Sequence, residues 1–243
     1  MEEATRVAVE SRAVAAARGI SWWTEAWAMF TKNVGMWIVL TLILLVIFFV
    51  LSVIPLLGSL AASLLVPVFI GGWLLAAHKV ETGGALEVGD LFAGFKDKLT
   101  PLLVLGALML VATLVIGAAV AALGFGAFMG VMASSAQSSA GGMVAAMGTG
   151  MLALLVGLAL GMVVATAIWF APALVVFRDV GPIDALNASV SASLKNILPF
   201  LLYGVVYIIA AIVASIPFGL GWIALVPVVL LTVHASYKDV FGE

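Results

Sequence analysis

The sequence predicts an all-α, polytopic membrane protein whose six transmembrane helices form three pseudo-repeated hairpins, each preceded by a cytoplasmic interfacial amphipathic helix. Three observations predict it: the composition, the uncharged stretches and the position of the charges. Of the 243 residues, 65% are hydrophobic and only 9% are charged, whereas a soluble domain carries about 25% charged residues. So few charges cannot cover a water-facing surface. This composition excludes a soluble enzyme and a disordered tail, and the net charge of −2 disfavours a nucleic-acid-binding protein.

Residues 33–78, 99–177 and 196–237 contain no Asp, Glu, Lys or Arg. One helix needs about 20 apolar residues to cross a bilayer, so each stretch is long enough for two crossings. Each also contains helix-breaking residues near its middle, at 54–58, at the Gly/Ser/Met-rich segment 124–150 and at 216–221. The sequence therefore predicts membrane spans at 34–54, 59–80, 101–124, 147–177, 198–216 and 219–237. It leaves open whether 124–150 is a helical extension of its neighbours or a mobile loop.

All Lys and Arg residues lie on one side of this topology. They are Arg6, Arg12, Arg18, Lys32, Lys79, Lys96, Lys98, Arg178, Lys195 and Lys238. The positive-inside rule then places both termini on the cytoplasmic side of a bacterial inner membrane. Nothing before Trp22 resembles a signal peptide, so we expect the first span to direct insertion. Residues 1–19 are predicted to be a cytoplasmic tail and residues 20–243 a single six-helix domain.

The first and third hairpins share the order of their basic residues and prolines, which indicates an internal repeat. Lys32 is followed by Pro55 and Pro67, and Lys195 is followed by Pro217 and Pro227 at similar intervals. The predicted repeat units are 20–81, 86–179 and 182–241. Because each unit has an even number of spans, the copies would share one orientation, related by an axis near the membrane normal.

A segment of mixed polar and apolar residues precedes each hairpin, at 20–30, 86–95 and 182–195. Apolar residues at helical spacing predict helices lying in the membrane interface, and Asp90 is suited to cap the second. These helices either only fix the depth of the hairpins or form a docking collar for a partner or a lipid headgroup. The candidate interfacial anchors are Trp22, Trp23, Trp27, Phe30, Phe92 and Phe95.

Pro67, Pro172 and Pro227 fall inside predicted spans, where each removes a backbone hydrogen bond and can kink its helix. Kinked helices line many transport sites, although proline is also common in membrane helices without a transport role. These three candidate kinks are the main argument for a permease.

The sequence has few residues that are suited to catalysis or to metal binding. No ionisable side chain lies near the middle of a predicted span, and Cys is absent. His78 and His234 lie toward cytoplasmic ends without a carboxylate in the same predicted span, whereas a stable metal site wants three or four ligands. We therefore expect no catalytic residues, no cofactor and no metal. An enzymatic role would require polar groups such as His78, Lys79 and Asp179 to converge.

Four segments carry a resemblance to a known family: 19–23 (GISWW), 91–95 (LFAGF), 169–175 (WFAPALV) and 196–200 (NILPF). They resemble an uncharacterised family of six-helix proteobacterial inner-membrane proteins. The chain is also distantly similar to YciC-type proteins and to the membrane domain of some glycerophosphodiester phosphodiesterases. The resemblance implies a six-helix inner-membrane protein. It implies no catalytic residues, because the chain has no counterpart of the soluble phosphodiesterase domain.

These observations favour a non-enzymatic inner-membrane protein, either an accessory subunit of a membrane complex or a lipid-interacting scaffold. The alternative is a permease or channel for a neutral or amphiphilic solute. The expected partners are membrane lipids, and a protein of a membrane complex or a second copy of the chain. No nucleic acid is expected.

Overall fold

A computed structural model describes residues 10–96, 98–136 and 139–242. These ranges are almost entirely helical and contain no strand, which confirms the predicted all-α class. A short helix followed by two long helices recurs three times along the chain. The elements are α1 (Arg18–Lys32), α2 (Val34–Ser52), α3 (Leu57–Glu81), a 3₁₀ helix (Val88–Phe95), α4 (Leu99–Ala136), α5 (Ala140–Arg178), α6 (Pro182–Lys195), α7 (Ile197–Ser215) and α8 (Trp222–Phe241).

Six of these helices are long and apolar enough to cross a membrane, as the sequence predicts: α2, α3, α4, α5, α7 and α8. Their outer ends differ from the predicted ones by a few residues. The common ancestry of the three hairpins and the interfacial position of the short helices stay predictions.

The segment 124–150, for which the sequence leaves a helical extension or a mobile loop open, is helical over most of its length. Helix α4 continues to Ala136 and α5 begins at Ala140, while Gln137 and Ser138 lie outside the described residues. Alanine and methionine favour helix, and no proline interrupts the chain between Pro101 and Pro172. The two helices have 38 and 39 residues. At 1.5 Å per residue each is about 57 Å long, compared with about 30 Å for the hydrocarbon core.

The chain divides into two compact units. The smaller one, residues 107–166, is built from residues 107–136 of α4 and 140–166 of α5, more than two thirds of each helix. Small residues let these two helices approach closely: a Cβ atom added to Gly150 would lie 3.7 Å from the Cβ of Ala127. Close packing through glycine and alanine is typical of membrane helix pairs.

The larger unit comprises the residues up to 106 and those from 167 onward. Helices α3 and α8 form its interior, with 50% and 61% of their most apolar windows buried, against 17% for α2 and α7. Its largest fully buried side chains include Trp22, Trp37, Trp73 and Tyr237.

The segment 86–95 forms a 3₁₀ helix instead of the predicted amphipathic α-helix. The N-cap residue is Glu87 and not Asp90, but Asp90 completes a capping box from the third helical position, since its Oδ2 accepts a hydrogen bond from the backbone N of Glu87 at 2.7 Å. The helix lies directly on α3 through two glycines. A Cβ on Gly72 would lie 2.2 Å from the backbone O of Leu91, and a Cβ on Gly94 would lie 2.2 Å from that of Val68. Such close backbone contact excludes any larger residue, and it suits a short, tight helix.

Candidate functional site

Helix α1 is held against α7 and α8 by two tryptophans. The Nε1 of Trp22 donates a hydrogen bond to Oδ2 of Asp239 at 2.9 Å, and its ring centroid lies 5.4 Å from that of Phe200. The ring of Trp23 stacks on Tyr203 at 5.0 Å, and its Nε1 donates to the Tyr203 backbone O at 3.3 Å. Both indoles thus combine a large apolar contact with a satisfied polar atom.

The predicted interfacial anchors separate into two groups. Trp22, Trp23 and Phe30 are buried inside the protein, and Phe95 packs against Phe69 with ring centroids 5.2 Å apart. Trp27 is 55% exposed and Phe92 is 37% exposed. Of the six candidates, these two side chains present the most surface to a lipid.

An apolar groove of about 540 Å³ runs between α1, α7 and α8. Trp23 and Trp27 form its wall on α1. The small residues of α7 and α8 do not fill the space between the helices, which forms the groove. Among the side chains that line it, Thr24 contributes the one hydroxyl group. This volume falls within the range of small-molecule sites, about 300–1,000 Å³. The lining residues are Trp23, Thr24, Trp27, Ala210, Val213, Ala214, Pro217, Gly221, Ala224, Leu225 and Val228.

Charged side chains meet at one end of the larger unit, around Asp239. The Nε of Arg18 donates to Oδ2 of Asp239 at 2.5 Å, and its Nη2 donates to Oε1 of Glu25 at 2.7 Å. The Nε of Arg12 donates to the Asp239 backbone O at 2.6 Å. The hydrogen bond to Asp239, together with the charges of Glu25 and Asp239, raises the pKa of Arg18 against the opposing effect of burial.

A buried amide fastens the segment that precedes α1. Asn196 is fully buried, and its Oδ1 accepts a hydrogen bond from the backbone N of Val14 at 2.8 Å. Its Nδ2 donates to the backbone oxygens of Arg12, at 3.0 Å, and Ala192, at 2.9 Å. Backbone groups therefore use both N–H donors of this amide and one of the two lone pairs of its oxygen.

Both histidines of the chain come together at the same end, beside a carboxylate. His78 and Glu81 occupy the last turn of α3 three positions apart, so they share one face. His234 enters from α8, with its Nε2 3.0 Å from Oε2 of Glu81. One potential ligand atom from each of the three lies within 4.8 Å of the other two. Lys238 forms an ion pair with the second oxygen of Glu81.

Sequence reasoning missed this group because the second span is predicted to end at residue 80, one residue before Glu81. The i, i+3 spacing of His78 and Glu81 was available as a signal. The approach of His234 was not, because it depends on how α8 packs against α3.

The other predicted site residues do not converge. Pro67, Pro172 and Pro227 each lie inside a helix and are buried, and none of them lines the apolar groove. Lys79 pairs with Asp90, its Nζ 3.0 Å from Oδ1, and Asp179 pairs with Lys98. Neither Lys79 nor Asp179 thus belongs to the group of His78, Glu81 and His234.

Comparison with known proteins places this fold in a family. The profile described as "Domain of unknown function (DUF7847)" matches residues 26–240. The chain belongs to the DUF7847 family. This DUF7847 protein is 27% identical over 212 residues to a probable inner membrane protein of Burkholderia thailandensis, covering 86% of this chain and 78% of the relative. No solved structure matches it. The matched range includes His78, Glu81 and His234 but begins after Trp22 and Trp23.

Proposed function

We propose that this protein is a lipid-binding scaffold of the bacterial inner membrane that holds an acyl chain of a membrane lipid in the groove between α1, α7 and α8. The observation that carries the proposal is the apolar lining of this groove. Trp27 and Val213 line it and are each more than half exposed. The groove therefore opens onto the exposed apolar surface to which the isoleucines of α7 also belong.

Helix α1 separates this groove from polar space. Its residues Glu25 and Lys32 line a cavity of about 310 Å³ together with Lys238, whereas Trp23 and Trp27 line the groove. A helix that is apolar toward one neighbour and charged toward another suits the boundary between acyl chains and headgroups. A phospholipid has the same division of apolar and charged parts.

The inner-membrane location is supported by the relative from Burkholderia thailandensis and by the six apolar helices. The concentration of Lys and Arg at one end supports cytoplasmic termini. The distant similarity to the membrane domain of glycerophosphodiester phosphodiesterases stays a prediction, and it would fit a protein that handles lipids.

A second candidate function is a subunit of a membrane complex or of a homo-oligomer. It is supported by the exposed surfaces of α4 and α5. Only 11% and 6% of their most apolar windows are buried, and both helices are longer than a bilayer requires. Another protein surface would cover this excess. Native mass spectrometry after gentle extraction tests it: a monomer carrying no protein partner would count against this function.

A permease is less well supported. A permease would need proline-kinked helices that line a solute path. Pro67, Pro172 and Pro227 are buried, and none of them lines the groove.

The lipid proposal is tested with a phospholipid that carries a photoreactive group in its acyl chain, incorporated into nanodiscs with the full chain. We expect crosslinks concentrated on the groove lining, and a severalfold loss in an Ala210→Leu variant that fills the groove. Ala211→Leu is the matched control, since Ala211 is the adjacent alanine, similarly half-buried but outside the lining. Crosslinks spread evenly over all exposed apolar helices and unchanged by Ala210→Leu would reject the proposal.

A further inference from the structure

We propose that His78, Glu81 and His234 form a binding site for one divalent transition-metal ion, with Zn²⁺ as the reference ion. The chain has only two histidines and no cysteine, and both histidines are in this group. Glu81 and His234 are 153 residues apart in the sequence. Their convergence on one point is a property of the fold that does not depend on the lipid groove.

The distances require only a small closure around an ion. Zn²⁺ bonds of about 2.0–2.2 Å hold tetrahedral ligand atoms about 3.3–3.5 Å apart. The His234 Nε2 and Glu81 Oε2 are 3.0 Å apart, so this pair would open by only a few tenths of an ångström to admit the ion, and no ligand atom is more than 4.8 Å from another. The remaining shortening of the distances between ligand atoms must come from a movement of the His78 side chain. His78 is exposed on the last turn of α3, with its ring 6.2 Å from that of His234 and 5.6 Å from that of Phe177, so a rotation of this one side chain would close the site.

The donor set selects the class of metal. Two imidazoles and one carboxylate are the protein ligands of many catalytic zinc sites and of non-haem iron(II) sites. Mg²⁺ and Ca²⁺ instead prefer all-oxygen coordination. A site of three protein ligands leaves one position of a tetrahedral ion for water or another ligand. Glu81 lines the cavity of about 310 Å³ beside Lys32 and Lys238, which gives that position access from the charged end of the protein.

The surroundings hold the ligands in place. Lys238 pairs with Oε1 of Glu81 and leaves Oε2 directed at His234, as in metal sites whose carboxylate ligand has an outer partner. The His234 side chain is fully buried, with the Phe177 ring 5.9 Å away. Among the described residues its Nδ1 has no hydrogen-bond partner. The polar contact of this ring is made by Nε2, which is directed at Oε2 of Glu81 and so into the proposed site.

The test uses the full chain, purified with a tag that contains no histidine and placed in nanodiscs. Zn²⁺ is titrated calorimetrically, and Co²⁺ is followed by its visible absorption, which reports coordination geometry. We expect one ion per chain. Glu81→Gln and His78→Ala should each lower the Zn²⁺ affinity by about tenfold or more and remove the tetrahedral Co²⁺ spectrum. Asp184→Asn is the matched control, because it also removes an exposed carboxylate but lies on α6.

A conservative exchange separates metal binding from a purely structural role. Glu81→His restores a third nitrogen ligand, and three histidines are an established zinc set. This variant should recover binding that Glu81→Gln loses, although both break the ion pair with Lys238. His78 is exposed, so His78→Ala keeps the test valid even if variants of the buried His234 fail to fold. The proposal is overturned if wild-type protein binds no Zn²⁺ at about 100 μM, or if His78→Ala and Glu81→Gln leave binding unchanged.

Discussion

The indole nitrogen of Trp22 donates a hydrogen bond to the carboxylate of Asp239 across 2.9 Å, although 217 residues separate them. The same carboxylate oxygen accepts the Nε of Arg18 at 2.5 Å. One acceptor, only 14% exposed, therefore attaches α1 to the last turns of α8 through two donors.

Replacing Asp239 should loosen this attachment. Asp239→Asn keeps the size of the side chain but removes the charge that both donors bind, and hydrogen bonds to a charged group contribute about 1.5–3 kcal/mol. We expect a lower melting temperature in detergent, measured by intrinsic tryptophan fluorescence. Asp184→Asn, on the exposed start of α6, is the control, and equal melting temperatures for both variants would contradict the prediction.

The contribution of Arg18 to the free energy of unfolding should not change as the pH rises into the alkaline range. Its pKa in the folded protein is raised above the ordinary value, mainly by the hydrogen bond to Asp239. A raised pKa gives stabilisation that is complete below the unfolded pKa and is lost only above the folded one, and both pKa values of arginine lie well above pH 10. The difference in stability between wild type and Arg18→Met should therefore stay constant from about pH 6 to about pH 10. A difference that shrinks steadily over this range would refute the prediction.

The Asn196 amide should control the opening of the segment before α1. Asn196→Ala leaves the Val14 amide and the Arg12 carbonyl, both in partly buried hydrogen bonds, without their partner, and each lost hydrogen bond costs about 0.5–1.5 kcal/mol. Hydrogen exchange at the Val14 amide should become faster, while Asn187→Ala, at an exposed position of α6, should leave it unchanged. Equal protection in both variants would show that other contacts hold this segment.

Gly94→Ala should displace the 3₁₀ helix from α3. The added Cβ would lie 2.2 Å from the backbone O of Val68, and a backbone atom cannot rotate away. Overpacking of this kind costs about 1–3 kcal/mol. Gly89→Ala lies in the same helix but meets nothing within 4 Å, so its melting temperature should remain near that of wild type. A Gly94→Ala variant as stable as Gly89→Ala would be inconsistent with the close contact.

The packing of α4 against α5 within residues 107–166 can be tested by disulfide formation, since the chain has no cysteine of its own. The Ala127→Cys, Gly150→Cys pair would place Cβ atoms about 3.7 Å apart, close to the value of about 3.8 Å in disulfides. Oxidation should shift its mobility on a non-reducing gel. The Ala127→Cys, Leu152→Cys pair is the control, because Leu152 is exposed two residues further on. Equal crosslinking of both pairs would argue against a defined helix pair.

The helical class and the six long apolar helices could be predicted because they depend on local composition. The continuation of α4 to Ala136 could not be decided from the sequence, because glycine and serine suggest a loop, whereas the surrounding alanines and methionines favour helix when no proline intervenes. The spacing of Trp22 and Trp23 predicts a helix, but spacing alone cannot distinguish a lipid from a neighbouring helix as the apolar partner. The grouping of His78 with His234 depends on packing between α3 and α8, which no local pattern encodes.

The contacts of Asp239 also set an order of events during synthesis. The ribosome completes α1 long before α8 exists, so Arg18 and Trp22 meet their shared acceptor only after the other long helices have been made. A nascent or truncated chain ending before Asp239 leaves that guanidinium and that indole without it. The finished contact therefore distinguishes a chain that has been translated past Asp239 from one that stops before it.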